Sequence, residues 1–114
     1  MLSGMRHIAV LALGLVMVTL ACSPSPAIDA NDRGVNYAVE GDHENAIEAY
    51  DAAIRLDPQY AIAYYNRGWT YFEMGQYEKA IQDFGEAIRL DSQFAFAYSN
   101  RGVGYRNLGQ YEKA

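Results

Sequence analysis

The chain has 114 residues, of which 14 are acidic and 9 basic, for a formal charge of −5 at neutral pH. Every acidic residue lies beyond Cys22 whereas Arg6 lies before it, and no cluster of Lys or Arg occurs, which argues against a nucleic-acid or anionic-lipid partner held by charge. A single cysteine leaves nothing for a disulfide or a zinc cluster.

The opening segment reads as an export signal. Arg6 and His7 give a short basic start, and Ile8 to Leu20 is uncharged and almost wholly apolar. That stretch fits a signal-peptide core and falls short of the roughly 20 residues that span a bilayer as a helix. Val18-Thr19-Leu20-Ala21-Cys22 then resembles a bacterial lipoprotein cleavage site, with Thr19 in place of the more usual Leu. The resemblance implies cleavage after residue 21, lipid on Cys22 and anchoring in the cell envelope. Ser23 in the next position resembles sequences sorted to the outer membrane of Gram-negative cells. An ordinary signal-peptidase site would instead give a soluble, secreted protein. Residues 22–28, with Ser23-Pro24-Ser25-Pro26, are expected to form an extended tether, since proline fixes φ and disfavours helix in the residue before it.

From residue 27 onward one pattern recurs every 34 residues. Arg33-Gly34 with Tyr37 returns as Arg67-Gly68 with Tyr71 and as Arg101-Gly102 with Tyr105. Ala53-Ile54-Arg55-Leu56-Asp57 returns as Ala87-Ile88-Arg89-Leu90-Asp91, and Gly75 to Ala80 returns as Gly109 to Ala114. A fixed period of this length marks stacked units, none of which buries its apolar face alone. Tyr64, Gly68 and Tyr71 share one helical face, and Ala80, Phe84 and Ala87 share another. Gly41, Gly75 and Gly109 fall between such faces and suit a left-handed helix end. The spacing predicts helices over about 29–40, 43–56, 60–74, 77–90 and 94–108, with Gly34 and Gly68 allowing close approach within a unit and Tyr37, Tyr50, Tyr71 and Phe84 filling the space between neighbours.

These residues resemble the tetratricopeptide repeat, whose 34-residue pattern runs aromatic, Leu-Gly, Tyr, Ala, Phe, Ala, Pro. Unit two supplies Tyr64, Gly68, Tyr71, Ala80, Phe84 and Ala87; unit one supplies Gly34, Tyr37, Ala46, Tyr50, Ala53 and Pro58; unit three supplies Tyr98, Gly102, Tyr105 and Ala114. Arg33, Arg67 and Arg101 replace the usual Leu, and Ser92 replaces the last Pro of unit two. The resemblance implies an all-α, right-handed solenoid of helix–turn–helix units, here 27–60, 61–94 and a partial 95–114, within an array over 29–114. Because residue 114 falls at place 20 of its unit, a fragment of a longer array is the favoured expectation, with self-association through an uncapped C-terminal end as an alternative.

The same resemblance puts a protein-binding groove on the concave face, lined by the first helix of each unit. Its positions fall on Asn31, Asp32 and Val35, on Ile62, Tyr65, Asn66, Trp69, Phe72 and Glu73, and on Phe96, Ser99, Asn100, Val103 and Asn107. Tyr65 and Trp69 lie one helical turn apart, and Asn66 and Asn100 hold the same place in adjacent units, where similar proteins bind a peptide backbone through the amide. Members of the family that clamp acidic C-terminal tails carry Lys and Arg where this chain has Asn31, Val35, Phe96 and Asn100, so an apolar, neutral groove is expected, with a protein or peptide from the envelope as partner. Against this stands the reading of Trp69 and Tyr65 as packing residues between helices.

Nothing marks an enzyme or a cofactor site. His43 takes the first-turn place of Tyr77 and Tyr111, and the acids beside it, Asp42 and Glu44, suit a helix start. Gly102-Val103-Gly104 with Gly109 is superficially similar to a phosphate loop but follows no strand.

Overall fold

The computed structural model describes residues 25–109, so the export segment, Cys22 and residues 110–114 lie outside it. The described residues form five α-helices: α1 Pro26–Val39, α2 His43–Leu56, α3 Ala61–Glu73, α4 Tyr77–Leu90 and α5 Ala95–Asn107. Each packs on the next in the chain, and first helices also touch across units, α1 on α3 and α3 on α5. This is an all-α solenoid. Among the described residues no helix is long and apolar enough to cross a membrane.

Helix α1 starts three residues earlier than the expected 29. Pro26 sits in its first turn, where a missing N–H costs nothing, so the second proline of the expected tether opens the helix instead of extending the linker. The other starts and ends agree with the periodicity to within a residue. Helices α1 and α3 end alike: Gly41 (φ +80°) and Gly75 (φ +77°) turn left-handed, and the following N–H groups of Asp42 and Gln76 donate back to the Tyr37 and Tyr71 carbonyls at 2.9 Å. Asp42 then caps α2 by accepting from the Asn45 N–H at 3.3 Å. Between units, the Asp57 and Asp91 carboxylates accept from the Gln59 and Gln93 N–H groups at 3.0 Å. That bond explains why Ser92 can stand in for Pro58: the aspartate, common to both turns, shapes them.

The core is built from alanines that let helices touch, with one large ring per unit. Ala30, Ala46, Ala53, Ala63, Ala80, Ala87 and Ala97 are all fully or almost fully buried, as are Tyr50 and Phe84. Burying each ring contributes about 1.5–3 kcal/mol. Within a unit the ring seats on the glycine of the first helix. A Cβ on Gly34 would lie 2.5 Å from Tyr50 Cε1, and one on Gly68 3.0 Å from the Phe84 ring. One expectation is corrected. Tyr37 is exposed, because no helix precedes α1 to cover it among the described residues. In α5 the glycine in close contact is Gly104, whose Cβ would stand 2.9 Å from Ile81 of the preceding unit, while Gly102 meets open space.

The arginine that replaces the usual Leu has a visible task in unit two. Arg67 donates through Nε and Nη2 to both oxygens of Asp83 on α4 and through Nη1 to Asp51 on α2, each at 2.8 Å. One guanidinium therefore joins both helices of its own unit to the last helix of the unit before. These bonds hold the Arg67 pKa above its already high ordinary value. Burial pushes the Asp83 carboxyl up, and the Arg67 bonds pull it back.

Candidate protein-binding groove

Helices α1 and α3 run side by side and end at the same edge, leaving a concavity of about 240 Å³ between their last turns. Val35, Ala38 and Val39 form one wall, Asn66, Trp69, Thr70 and Glu73 the other, and Tyr50 from α2 the floor. The walls are apolar and open to solvent: Trp69 is 40% and Val39 83% exposed. Trp69 is held by Phe72 one turn on, ring against ring at 5.4 Å and 13° from parallel, and Phe72 meets the Tyr77 ring at 5.3 Å in turn. Such stacking fixes the indole and lowers the entropy lost on binding. Thr70 is turned inward, its hydroxyl donating to the Asn66 carbonyl at 3.0 Å. Burial raises the Tyr50 phenol pKa, partly opposed by the neighbouring Thr70 hydroxyl.

The amides of the groove are already partly engaged. Asn66 Nδ2 donates to Asn31 Oδ1 at 3.0 Å, and Asn100 Nδ2 donates to the Tyr65 hydroxyl at 2.9 Å. The two bonds join matching places, the fifth position of one unit to the sixth of the next. Asn31 is nearly buried. Each bond uses one N–H of an amide that carries two donors and a two-lone-pair acceptor, so both asparagines keep capacity for a ligand.

The sequence-assigned residues thus divide. Val35, Asn66, Trp69 and Glu73 line one concavity. Phe72 backs it, and Ile62, Phe96, Asp32, Ser99 and Asn107 are exposed outside it. Asn100 and Val103 are half-buried on α5. Tyr65 is split between roles: its ring packs on Phe94 at 4.7 Å and Phe84 at 5.7 Å, while its hydroxyl meets Asn100. The Tyr65 ring is taken up by packing, whereas Trp69 stacks on Phe72 and stays 40% exposed. Ala38 and Val39 were missed, although they hold the places of Phe72 and Glu73 one period earlier and could have been found by that register.

A larger hollow of about 460 Å³ lies along the turn Gly75 to Lys79 beside Leu108, and none of the assigned residues borders it. Among the described residues no group of three or more His, Cys, Asp or Glu side chains is placed to hold a metal ion.

Repeated helix pairs, a glycine under each core ring and an open face along the first helices define an α-solenoid of helix–turn–helix repeats. Residues 61–94 match the tetratricopeptide repeat profile, and residues 36–75 a second profile described as TPR repeat. The second TPR of Spaghetti (RPAP3), solved bound to the HSP90 peptide SRMEEVD, is 36% identical with a TM-score of 0.74, over 76% of this chain and 81% of that one. The second TPR domain of human RPAP3, solved with the HSP70 peptide SGPTIEEVD, is 35% identical with a TM-score of 0.74, over 77% and 73%. The MamA protein is 30% identical with a TM-score of 0.76, over 78% of this chain and 49% of that one, so the chain spans about half of MamA. No curated protein sequence matches. The chain belongs to the tetratricopeptide repeat family.

Proposed function

We propose that this protein is a non-enzymatic adaptor, lipid-anchored through Cys22 in the bacterial cell envelope, that binds a partner peptide or protein along its first helices. The observation that carries the binding role is the open apolar concavity of Val35, Val39 and Trp69. Large apolar side chains rarely gather on an exposed concave face without a partner, and Trp is a common interface anchor. Similar domains solved with bound peptides support the same use. Those peptides end in acidic residues. Here the groove presents Glu73, and the arginines of α1 and α3 hold the place from which Arg67 turns to Asp83. An acidic tail therefore does not suit it. Anchoring rests on the sequence from Val18 to Cys22.

Capture from cross-linked envelope extract tests the groove, with wild type beside Trp69→Ala/Ile62→Ser. Both side chains are exposed, so the variant should fold, whereas Tyr65→Ala would strip packing from Phe84 and Phe94. A partner retained by wild type and lost by the variant supports the reading; equal capture by both removes it. For the anchor, alkyne-palmitate labelling of cells should mark wild type and spare Cys22→Ser, and an unlabelled wild type would leave a secreted protein.

A second reading, self-association, is favoured by the exposure of Phe96 (71%) and Tyr98 (45%) on α5. Sedimentation at rising concentration decides it, since a strict monomer excludes that role.

A further inference from the structure

The concavity between α1 and α3 has a charge character that its apolar walls hide. It lies at the C-terminal ends of both helices, where the aligned backbone dipoles place partial negative charge. In α2, α4 and α5 the last turn carries an arginine (Arg55, Arg89, Arg106) that offsets this charge, but the last turns of α1 and α3 hold no basic residue. Glu73, the last residue of α3, adds a full negative charge on the concavity's rim, its side chain 42% exposed. Among the described residues the one cationic partner within 4 Å of the Glu73 carboxylate is His43 Nε2 on α2, at 3.7 Å, outside hydrogen-bond distance. Beside the acid sits the Trp69 indole, clamped on Phe72, and opposite it the aliphatic wall of Val35, Ala38 and Val39.

From this arrangement we infer that the concavity is a socket for one arginine or lysine side chain of the partner segment, an inference that rests on the groove being the binding face. The methylene stem lies along Val35 and Val39, as long cationic side chains do on apolar surface. The cation meets the Glu73 carboxylate, the two helix ends and the Trp69 ring, which attracts cations electrostatically. Arginine is favoured over lysine, because its planar, weakly hydrated head can stack on the indole while pairing with the carboxylate. A volume of about 240 Å³ suits a single long side chain and is smaller than the roughly 300–1,000 Å³ of small-molecule sites. The partner is thus a segment with a basic residue among aliphatic ones.

Trp69 is the only tryptophan of the chain, so its fluorescence reports on this site alone. The test titrates the full-length chain in detergent with the peptide acetyl-Ala-Leu-Arg-Leu-Ala-amide and with a twin carrying citrulline, which keeps the stem and removes the charge. The arginine peptide should shift Trp69 emission saturably and bind about tenfold more tightly than its twin, the combined effect of a partly exposed ion pair and a cation–π contact. Glu73→Gln should weaken the arginine peptide by about fivefold and leave the citrulline peptide unchanged. Equal binding of both peptides with a Trp69 response overturns the socket while leaving the groove intact as a binding face. Silence of Trp69 toward both overturns it too. The capture experiment with Trp69→Ala/Ile62→Ser judges the groove separately.

Discussion

Arg67→Leu restores the residue most tetratricopeptide repeats carry at that place, yet it should destabilise this chain. Among the described residues Arg67 is the sole hydrogen-bond partner of the carboxylate of Asp83, whose side chain is only 9% exposed, and it also reaches Asp51, which is 37% exposed. Removing one partner of a buried ion pair costs about 3–5 kcal/mol, mainly because the other charge is left without compensation. Arg67 itself is 21% exposed, so water screens part of this, and about 2–4 kcal/mol is expected. Asp51→Ala, at the more solvated end, should cost under about 1 kcal/mol. The double change Arg67→Leu/Asp83→Leu removes both charges and should recover most of the loss, since well-packed apolar residues replace such pairs at little cost. Urea unfolding followed by far-UV circular dichroism gives each value, and wild type, Arg67→Leu, Asp83→Leu and the double variant close a double-mutant cycle. If Arg67→Leu is as stable as wild type, or if the two single effects simply add, the network carries no coupling and the reasoning fails.

Three further outcomes follow from the same geometry. Gly34→Ala should lower the melting temperature, with an overpacking cost of about 1–3 kcal/mol against Tyr50, while Gly102→Ala in open helix should raise it through up to about 1 kcal/mol of helix propensity; thermal melts that fail to split the two would contradict the packing. Stability should fall as pH rises above about 10, because the raised Tyr50 pKa keeps the folded phenol protonated where the unfolded one ionises; pH-dependent melts of Tyr50→Phe should show a shallower fall, with Tyr60 and Tyr71, raised by burial too, keeping a residual slope. Asn66→Ala should cost about 1–3 kcal/mol by leaving the Asn31 amide oxygen without its donor, whereas Asn100→Ala should cost less, the Tyr65 hydroxyl being half-exposed; equal urea midpoints for the two would mean that these bonds do not hold the units together.

What was legible in the sequence was whatever repeats. Tyr37 and Tyr71 recur with Gly34 and Gly68, so the helices, their glycine ends and the close approach at Gly34 and Gly68 could be read from period alone. Contacts that depart from the period could not. Asp51 and Asp83 each stand 16 residues from Arg67, and their counterparts are Gly85 in unit two and Ala49 in unit one, so no recurrence flags them. Asn31 and Asn66 lie 35 apart, one residue out of step with the repeat, because their bond runs obliquely from unit to unit. Tyr65 shares the concave register, but its neighbours Phe84 and Phe94 take up the ring, and only distances distinguish that from an open anchor. The charge of the groove was hidden for another reason: partial charge at a helix end belongs to the backbone and leaves no letter in the sequence.

The Arg67 clasp makes the two joints of this short array unlike each other. Units one and two are fastened by an ionic bond, since Asp51 reaches Arg67; between units two and three Gly85 stands in the place of Asp51, and Arg101 instead lies over the Tyr98 ring at 5.5 Å. In a linear array, stability is a sum of unit and joint contributions, so the weaker joint opens first. Salt should then loosen one end of the molecule relative to the other, giving unfolding a direction along the chain. Exchanging the order of units, which an ideal repeat would tolerate, would here separate the lock from its key.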